Sequence, residues 1–311
     1  MVTATAAQTV LLTGSETPMG RLVLKRLGAA PAIGRILTAG TGQPARGKKV
    51  KHLKVPWESE KIIEPVRREK AETIVHLGAF AGRARDDASF EKSVLGTMTL
   101  LSAAVEAGVR NVILTSSYLV YGAHYNNPNF LPESRRVRLG GRTQGAKDAA
   151  EIERHVQEFL RHYTSLRLAI LRLAPVVGPT VDSSFMRYLS QDSCPALLGY
   201  DPLVQLLHEE DAADALVAAA ESDVSGAVNI APDGVVPLLK ILRFLRKDIV
   251  VVPYFPMRLS EQLLAALKTL PFDASYLRFS ACLDTDRMAE EMGFRPKRSS
   301  TEALRALREG A

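Results

Sequence analysis

The chain has 311 residues, of which 46% are hydrophobic, 24% charged and 6% aromatic. That balance excludes disorder and collagen-like repeats and suits a globular chain able to bury roughly three quarters of its extended surface. Forty Lys and Arg against 34 Asp and Glu leave a net charge of +6, and without a helix-turn-helix, zinc or aromatic-interleaved motif this mild excess argues against nucleic acid. An anionic small molecule, or nothing specific, is the alternative. Cys194 and Cys282 are the only cysteines, too few for a disulfide framework or a paired-cysteine metal site. No apolar run reaches the roughly 18 residues of a membrane span, and the first apolar stretch runs into a glycine loop rather than a cleavage site. A cytoplasmic protein in a reducing compartment is expected.

In chain order, Thr9 to Thr13 is a short apolar run closed by Gly14 and reads as a buried strand. Pro18 to Leu27 places Met19, Leu22, Val23 and Leu27 at helical spacing, with Thr17 as N-cap, Pro18 at the first helical position and Gly28 as stop. Strands follow at Arg35 to Ala39, Val50 to Val55 and Thr73 to Leu77, with a helical stretch Glu60 to Lys70 between the last two. A helix from Ser89 to Ala107 ends at Gly108, the strand Asn111 to Thr115 runs into Ser116 and Ser117, and a long amphipathic helix, Gln144 to Tyr163, precedes the strand Leu168 to Leu173. Strands alternating with helices imply parallel pairing through right-handed crossovers. The expected fold is α/β, a Rossmann-type doubly wound, mostly parallel sheet. Beyond Pro179, prolines break the periodicity, so a smaller, discontinuous C-terminal lobe is expected: residues 1–180 form the core, 206–232 return to it, and 181–205 with 233–311 make the lobe. Two amphipathic basic stretches, Leu238 to Lys247 and Leu259 to Leu270, fall in that lobe.

In open α/β sheets ligands sit at the carboxyl ends of the strands. The turn Gly14 to Gly20 joins a strand to a helix and would aim backbone N–H groups at a phosphate. The succession Val10-Leu11-Leu12-Thr13-Gly14 with Gly20, His76-Leu77-Gly78-Ala79, Val94 to Thr97, Thr115-Ser116-Ser117-Tyr118-Leu119-Val120-Tyr121-Gly122, Lys147 to Glu151, Leu171 to Pro175, Leu207 to Asp211 and Gly226 to Ile230 resembles the extended short-chain dehydrogenase/reductase family. The nearest branch is that of NAD-dependent epimerases and dehydratases, in its divergent bacterial UDP-galactose epimerase-like form. The resemblance implies NAD or NADP held by Gly14, Ser15, Thr17, Met19, Gly20, Gly78, Ala79, Lys147 and Pro175. It also implies a nucleotide-sugar-like ligand, catalysis by a Ser-Tyr-Lys group, and a homodimer built on the two long helices, or another protein partner. Ser117 matches the serine and Lys147 the lysine.

The tyrosine position is Thr143, an aliphatic hydroxyl and a far weaker acid than a phenol. Thr17 replaces the middle glycine of the phosphate turn, Pro18 removes one N–H, and Leu37-Thr38-Ala39-Gly40 ends the second strand without the usual ribose-gripping acid. Lys48, Lys49 and Lys51 are either a ribose-phosphate site, which would favour NADP, or a solvated face. Tyr118 and His124 are the candidate substitutes for the missing phenol, with packing or rim residues as the alternative reading, and with Arg172 they are the candidate substrate contacts; Tyr121 is expected to be structural. His208 to Asp211 is expected to serve a helix N-terminus and not a metal. The loop Arg135-Arg136-Val137-Arg138 with Arg142 either receives an anion or is solvated. Three functions stay open: an atypical epimerase/dehydratase-type enzyme, a binding or regulatory pseudoenzyme, and a repurposed pocket for cofactor-independent cyclisation or elimination.

Overall fold

Fully buried tetrads such as Val10 to Thr13 belong to strands that are covered on both faces, and here these strands build one parallel sheet. The computed structural model describes residues 7–42, 46–77, 87–138, 144–253 and 270–309. Its strands are β1 (Gln8–Thr13), β2 (Ile33–Ala39), β3 (Val50–Leu53), β4 (Thr73–His76), β5 (Asn111–Ser117), β6 (Arg167–Leu173) and, returning late, β11 (Gly226–Ile230). They pair in the order β3-β2-β1-β4-β5-β6-β11, every pair parallel. The order reverses between β1 and β4, which places a crevice above the carboxyl ends of those two strands.

Helices α1 (Pro18–Ala29), α2 (Ile63–Arg68), α3 (Asp87–Ala107) and α4 (Gln144–His162) make the crossovers. The stretch Glu60 to Lys70 divides into a 3-10 turn, Glu60–Ile62, and the short α2, because Pro65 lies inside it and lacks the N–H that a continuous helix would need. Gly108, at φ 77°, stops α3 as expected, with its N–H on the Val105 carbonyl and the Val109 N–H on the Ala104 carbonyl.

The period of two in the strands sorts the core into two layers. Val10, Leu12, Ile113, Ala169 and Leu171 pack with Val23 and Leu27 of α1 and with Ala212 and Leu216 of a later helix, while Leu11, Val112, Leu114, Leu168 and Ile170 pack with Leu100 and Ala104 of α3 and Ile152 and Val156 of α4. After β6 the chain makes short elements: β7 (Val176–Val177), α5 (Ser184–Leu189), β8 (Ser193–Leu197), β9 (Leu203–Val204) and β10 (Leu207–His208). It then enters α6 (Glu209–Glu221) and β11, and continues through β12 (Val236–Pro237), α7 (Leu238–Phe244) and β13 (Asp248–Val252) to the helices Asp286–Glu291 and Ser300–Glu309. A third core, with Phe185, Tyr188, Leu197, Leu206, Ile241 and Phe272, joins the late short elements. Most of the expected helix Leu259 to Leu270 lies outside the described residues.

Candidate functional site

The phosphate-type turn is closed from within. Gly14 adopts φ 72°, and a Cβ built on Gly20 would lie 2.0 Å from the Gly14 carbonyl oxygen, so helix and strand approach as closely as only glycine allows. Thr17 is the N-cap of α1, as its sequence position predicts, with its hydroxyl accepting from the Gly20 N–H at 2.9 Å and donating to the Gly14 carbonyl at 2.8 Å. The Arg21 N–H reaches the Thr17 carbonyl at 2.9 Å and Pro18 has no N–H. Of the first helical donors, these bonds leave that of Met19. Ser15 is buried beside them.

The crevice floor is polar but uncharged. His76, at the end of β4, shares its Nδ1 with the Thr13 hydroxyl at 2.6 Å and its Nε2 with the Thr97 hydroxyl at 3.1 Å. Thr97 donates its own proton to the Ser93 carbonyl at 2.7 Å, so Nε2 must carry the hydrogen and Thr13 must donate to Nδ1. Burial pushes the His76 pKa down to about 3, and the Trp57 ring stands edge-on 4.8 Å away. Gly78 and Ala79, expected next to it, lie outside the described residues.

At the end of β2, His52 of β3 bridges the Thr38 hydroxyl, 2.9 Å from Nδ1, and the Gly40 carbonyl, 3.1 Å from Nε2. The lysines point elsewhere. Lys49 Nζ donates to the Ala30 carbonyl at 2.9 Å and Lys51 Nζ to Glu69 at 2.8 Å, and Lys51 pairs in register with Leu37, two residues short of the strand's carboxyl end. Lys49 and Lys51 are thus engaged within the chain, away from the carboxyl end of β2, and Lys48 is exposed in the turn before β3.

Ser117 ends β5 and caps the following 3-10 turn, Tyr118–Tyr121, by accepting from the Leu119 N–H at 3.3 Å. Lys147 is exposed on α4, the helix that packs against that turn. Thr143 lies outside the described residues. Pro175 is buried between β6 and β7. Tyr118 does not offer an open phenol: its ring is buried, packs edge-on to Tyr276 at 5.4 Å, and faces an apolar seam of about 20 Å³ shared with Phe185 and Phe272. Burial drives its pKa well above the ordinary phenol range.

Arg172 likewise fills a structural place. It is 2% exposed, and its Nε lies 3.1 Å and its Nη2 2.6 Å from Glu153 Oε2. Nη1 donates to the Tyr121 hydroxyl at 2.7 Å and to the Glu133 carbonyl at 3.1 Å. The Tyr121 hydroxyl donates to Asn229 Oδ1 at 2.7 Å, and Ser116 donates to Glu153 Oε1 at 2.5 Å. Burial opposes the guanidinium's charge, but the Glu153 carboxylate holds its pKa above the ordinary value. All its donor edges are turned inward, so the expected substrate contact at Arg172 is replaced by a clamp joining β5, β6, α4 and β11. Tyr121, expected to be structural, is part of that clamp, its pKa pushed up to about 12 by burial. Sequence reading missed Glu153; its one signal is a carboxylate on the inward face of α4, between Ile152 and Val156.

His124 is half-buried beside Gly122, whose added Cβ would meet the imidazole Nε2 at 2.6 Å. It lines a cleft of about 1010 Å³ between the loop after β5 and residues Asp273 to Tyr276, together with Arg135, Arg136 and Arg138. Burial, then Arg138, lowers its pKa, with Asp273 opposing. The acidic run in the first turn of α6 is used in full: Glu209 accepts from the Thr180 N–H at 3.0 Å and hydroxyl at 2.9 Å, Glu210 pairs with Arg298 at 2.7 Å, and Asp211 accepts the N–H groups of Lys297 and Arg298. These acids fasten two loops as well as serving the helix end. Among the described residues no helix is long and apolar enough to cross a membrane.

The strand order, the reversal between β1 and β4 and the tight glycine turn above it define a Rossmann-type protein of the dinucleotide-binding class. A family model, Epimerase, NAD dependent epimerase/dehydratase family, matches residues 10–231. The chain therefore belongs to the NAD-dependent epimerase/dehydratase family, within the extended short-chain dehydrogenases/reductases. Uncharacterized proteins of Mycobacterium tuberculosis and Mycobacterium bovis are 31% identical over 307 residues, covering 95% of this chain and 82% of each of theirs. In fold it is similar to the UDP-glucose 4-epimerase of Thermotoga maritima with UDP-glucose, TM-score 0.73 at 19% identity over 97% of this chain and 98% of that one. The UDP-glucuronic acid 4-epimerase of Bacillus cereus with NAD gives TM-score 0.73 at 15% identity over the same shares. The dTDP-glucose 4,6-dehydratase of Bacillus anthracis with NAD gives 0.72 at 14% over 98% and 96%.

Proposed function

We propose that this protein binds a dinucleotide, NAD or NADP, over the Gly14–Gly20 turn and a nucleotide-sugar-like ligand at the ends of β5 and β6, as an atypical enzyme of the epimerase/dehydratase type. The observation that carries the reading is the Gly14–Gly20 approach: the cradle is as tight as a dinucleotide fold requires, although Thr17 fills part of it. The Met19 N–H and the Ser15 backbone would face the pyrophosphate, Ser117 would orient a substrate hydroxyl, and Lys147 would hold the nicotinamide ribose. The dinucleotide, when bound, supplies a hydride acceptor. Thr143 can position a hydroxyl but cannot serve as the phenolic acid/base, so ordinary epimerase turnover is not part of the proposal. Lobe segments 181–205 and 233–311 would cover the ligand, α3 and α4, which lie side by side, would pair two copies, and the compartment would be the cytoplasm.

A second reading is favoured by the Thr17 cap and the buried Tyr118: a binding or regulatory module without redox turnover, or a pocket for cofactor-independent cyclisation or elimination. Mass spectrometry of nucleotides released from freshly purified, denatured protein separates the two, with calorimetric titration of NAD, NADP and their reduced forms. Bound or micromolar dinucleotide supports the first reading. No binding up to millimolar concentration overturns it. Thr143→Tyr is expected to create dehydrogenase or epimerase activity only if the cofactor binds.

A further inference from the structure

One small sheet of the lobe ends in an open edge. Among the described residues β13 pairs only with β8, in parallel register from Asp248 opposite Ser193 to Val252 opposite Leu197. The Asp248 N–H bonds the Asp192 carbonyl at 3.1 Å and the Leu198 N–H bonds the Val252 carbonyl at 3.0 Å. Backbone groups alternate sides along a strand, so Asp248, Val250 and Val252 face β8, while Ile249 and Val251 turn their N–H and C=O groups outward. β8 is buried from Cys194 to Leu197, whereas Val250 and Val251, on opposite faces of β13, are 44% and 55% exposed. An edge with aliphatic side chains on both faces and no proline inside it is a template for another strand.

Cations gather at the amino end of that edge. Lys240 and Arg243 stand on the exposed face of α7, one turn apart, and Arg246 and Lys247 come directly before β13. None of them has a side-chain hydrogen bond or ion pair among the described residues. Asp192 and Asp248, the exposed acids beside them in the chain and across the ladder, leave the balance positive. Arg246 ends α7 at φ 55°, the left-handed stop that Gly108 supplies to α3, so its side chain is carried where glycine would be unstrained.

We propose that β13 receives an extended segment of a partner protein, added antiparallel as a further strand, with apolar side chains over Val250 and Val251 and acidic residues at its carboxyl end facing Arg246 and Lys247. The outward groups of Ile249 and Val251 supply main-chain bonds, the valines supply apolar contact and the cations select the sequence. A second copy fits less well, because pairing Val250 with Val250 sets Lys247 opposite Pro253 and gives the cations no acid. A lipid surface would leave the outward N–H groups unpaired. The surface uses no residue of the Gly14–Gly20 turn, nor Ser117 or Lys147, so it is independent of the dinucleotide reading.

The test is fluorescence anisotropy of the full chain with a labelled synthetic peptide that alternates Val and Thr and ends in a run of Glu. A sub-millimolar Kd is expected, weakened about tenfold when the run is Lys and lost when the strand amides of the peptide are N-methylated. Val251→Pro removes an outward N–H without touching the β8 ladder and should weaken binding about tenfold at unaltered Tm. Arg246→Gly/Lys247→Ala relieves the left-handed strain, keeps the fold and should weaken binding about fivefold. The N-methylated peptide puts the same question to the unaltered chain, so the result stands even if Val251→Pro misfolds. No binding up to about 1 mM peptide, equal binding of the Glu and Lys peptides, or equal binding of the N-methylated one overturns the proposal. With no peptide bound, co-sedimentation with phosphatidylglycerol vesicles that is lost in Arg246→Gly/Lys247→Ala would assign the patch to anionic lipid instead. Self-association lost in Val251→Pro, again with no peptide bound, would assign it to a second copy.

Discussion

Substituting Glu153 by Gln would leave Arg172 charged and 2% exposed in the centre of the protein. Its distances of 3.1 and 2.6 Å to Glu153 and 2.7 Å to Tyr121 show that the carboxylate supplies the only charge in contact with it among the described residues. Removing one partner of such a pair costs about 3–5 kcal/mol, because the remaining ion is buried uncompensated. The amide can still accept from Ser116, so the lower end of that range is expected for Glu153→Gln and the upper end for Glu153→Ala. At about 2 °C per kcal/mol for a large domain, the Tm should fall by about 6–10 °C. Pairing Glu153→Gln with Arg172→Met removes both charges and should recover most of the loss, the coupling being read from a double-mutant cycle in urea denaturation. A single Glu153→Gln variant within about 1 kcal/mol of the parent, or a cycle showing no coupling, would refute the clamp. Because Glu153 sits on the helix that carries Lys147 and bonds the strand that ends in Ser117, the same variant should weaken any ligand that needs both.

Three further outcomes follow from the crevice. Thr17→Gly sacrifices only a few tenths of a kcal/mol of capping while freeing the Gly20 N–H, so dinucleotide affinity measured by calorimetry should rise; an unchanged Kd would show that the cap does not compete with phosphate. Gly20→Ala would drive a methyl group into the Gly14 carbonyl, 2.0 Å away, and scanning calorimetry should show at least about 2 kcal/mol of destabilisation, where a neutral result would mean that the turn yields. His76 has a folded pKa of about 3, below its unfolded value of 6.5, so the unfolded chain takes the proton first. Its contribution is complete above pH 6.5 and is lost as the pH falls toward 3, about 2 kcal/mol of it between 6.5 and 5. Urea midpoints across that interval should slope less steeply in His76→Asn, and identical slopes would remove His76 from the acid response.

The elements that repeat at short range were readable from the chain. Apolar runs flanked by Gly14 and Gly108 gave the strands and helix ends, and Thr17 followed by Pro18 gave the start of α1, because each signal is local to the backbone it shapes. The site was readable in type rather than in contact. Arg172 and Glu153 lie 19 residues apart, and their meeting depends on how a helix lies across a strand, so nothing in spacing joins them. Tyr118 sits in a loop motif, yet its burial is decided by Phe272 and Tyr276, more than 150 positions later. Lys49 and Lys51 resemble an anion site until the parallel register of β3 places them short of the strand's carboxyl end. Burial of loops and the register of edge strands are long-range properties, and those are where the readings shifted.

The Thr17 cap has a consequence for how the protein fares in a cell. A loop that relies on an anion for closure ties its folded population to the concentration of that anion, with a stabilisation that grows as RT ln(1 + [L]/Kd). Here the Thr17 hydroxyl satisfies both Gly14 and Gly20 in the chain's own peptide, so the turn is complete before any visitor arrives. Draining nucleotide pools would then remove the stabilisation that binding adds, while the turn itself keeps its hydrogen bonds in the ligand-free chain.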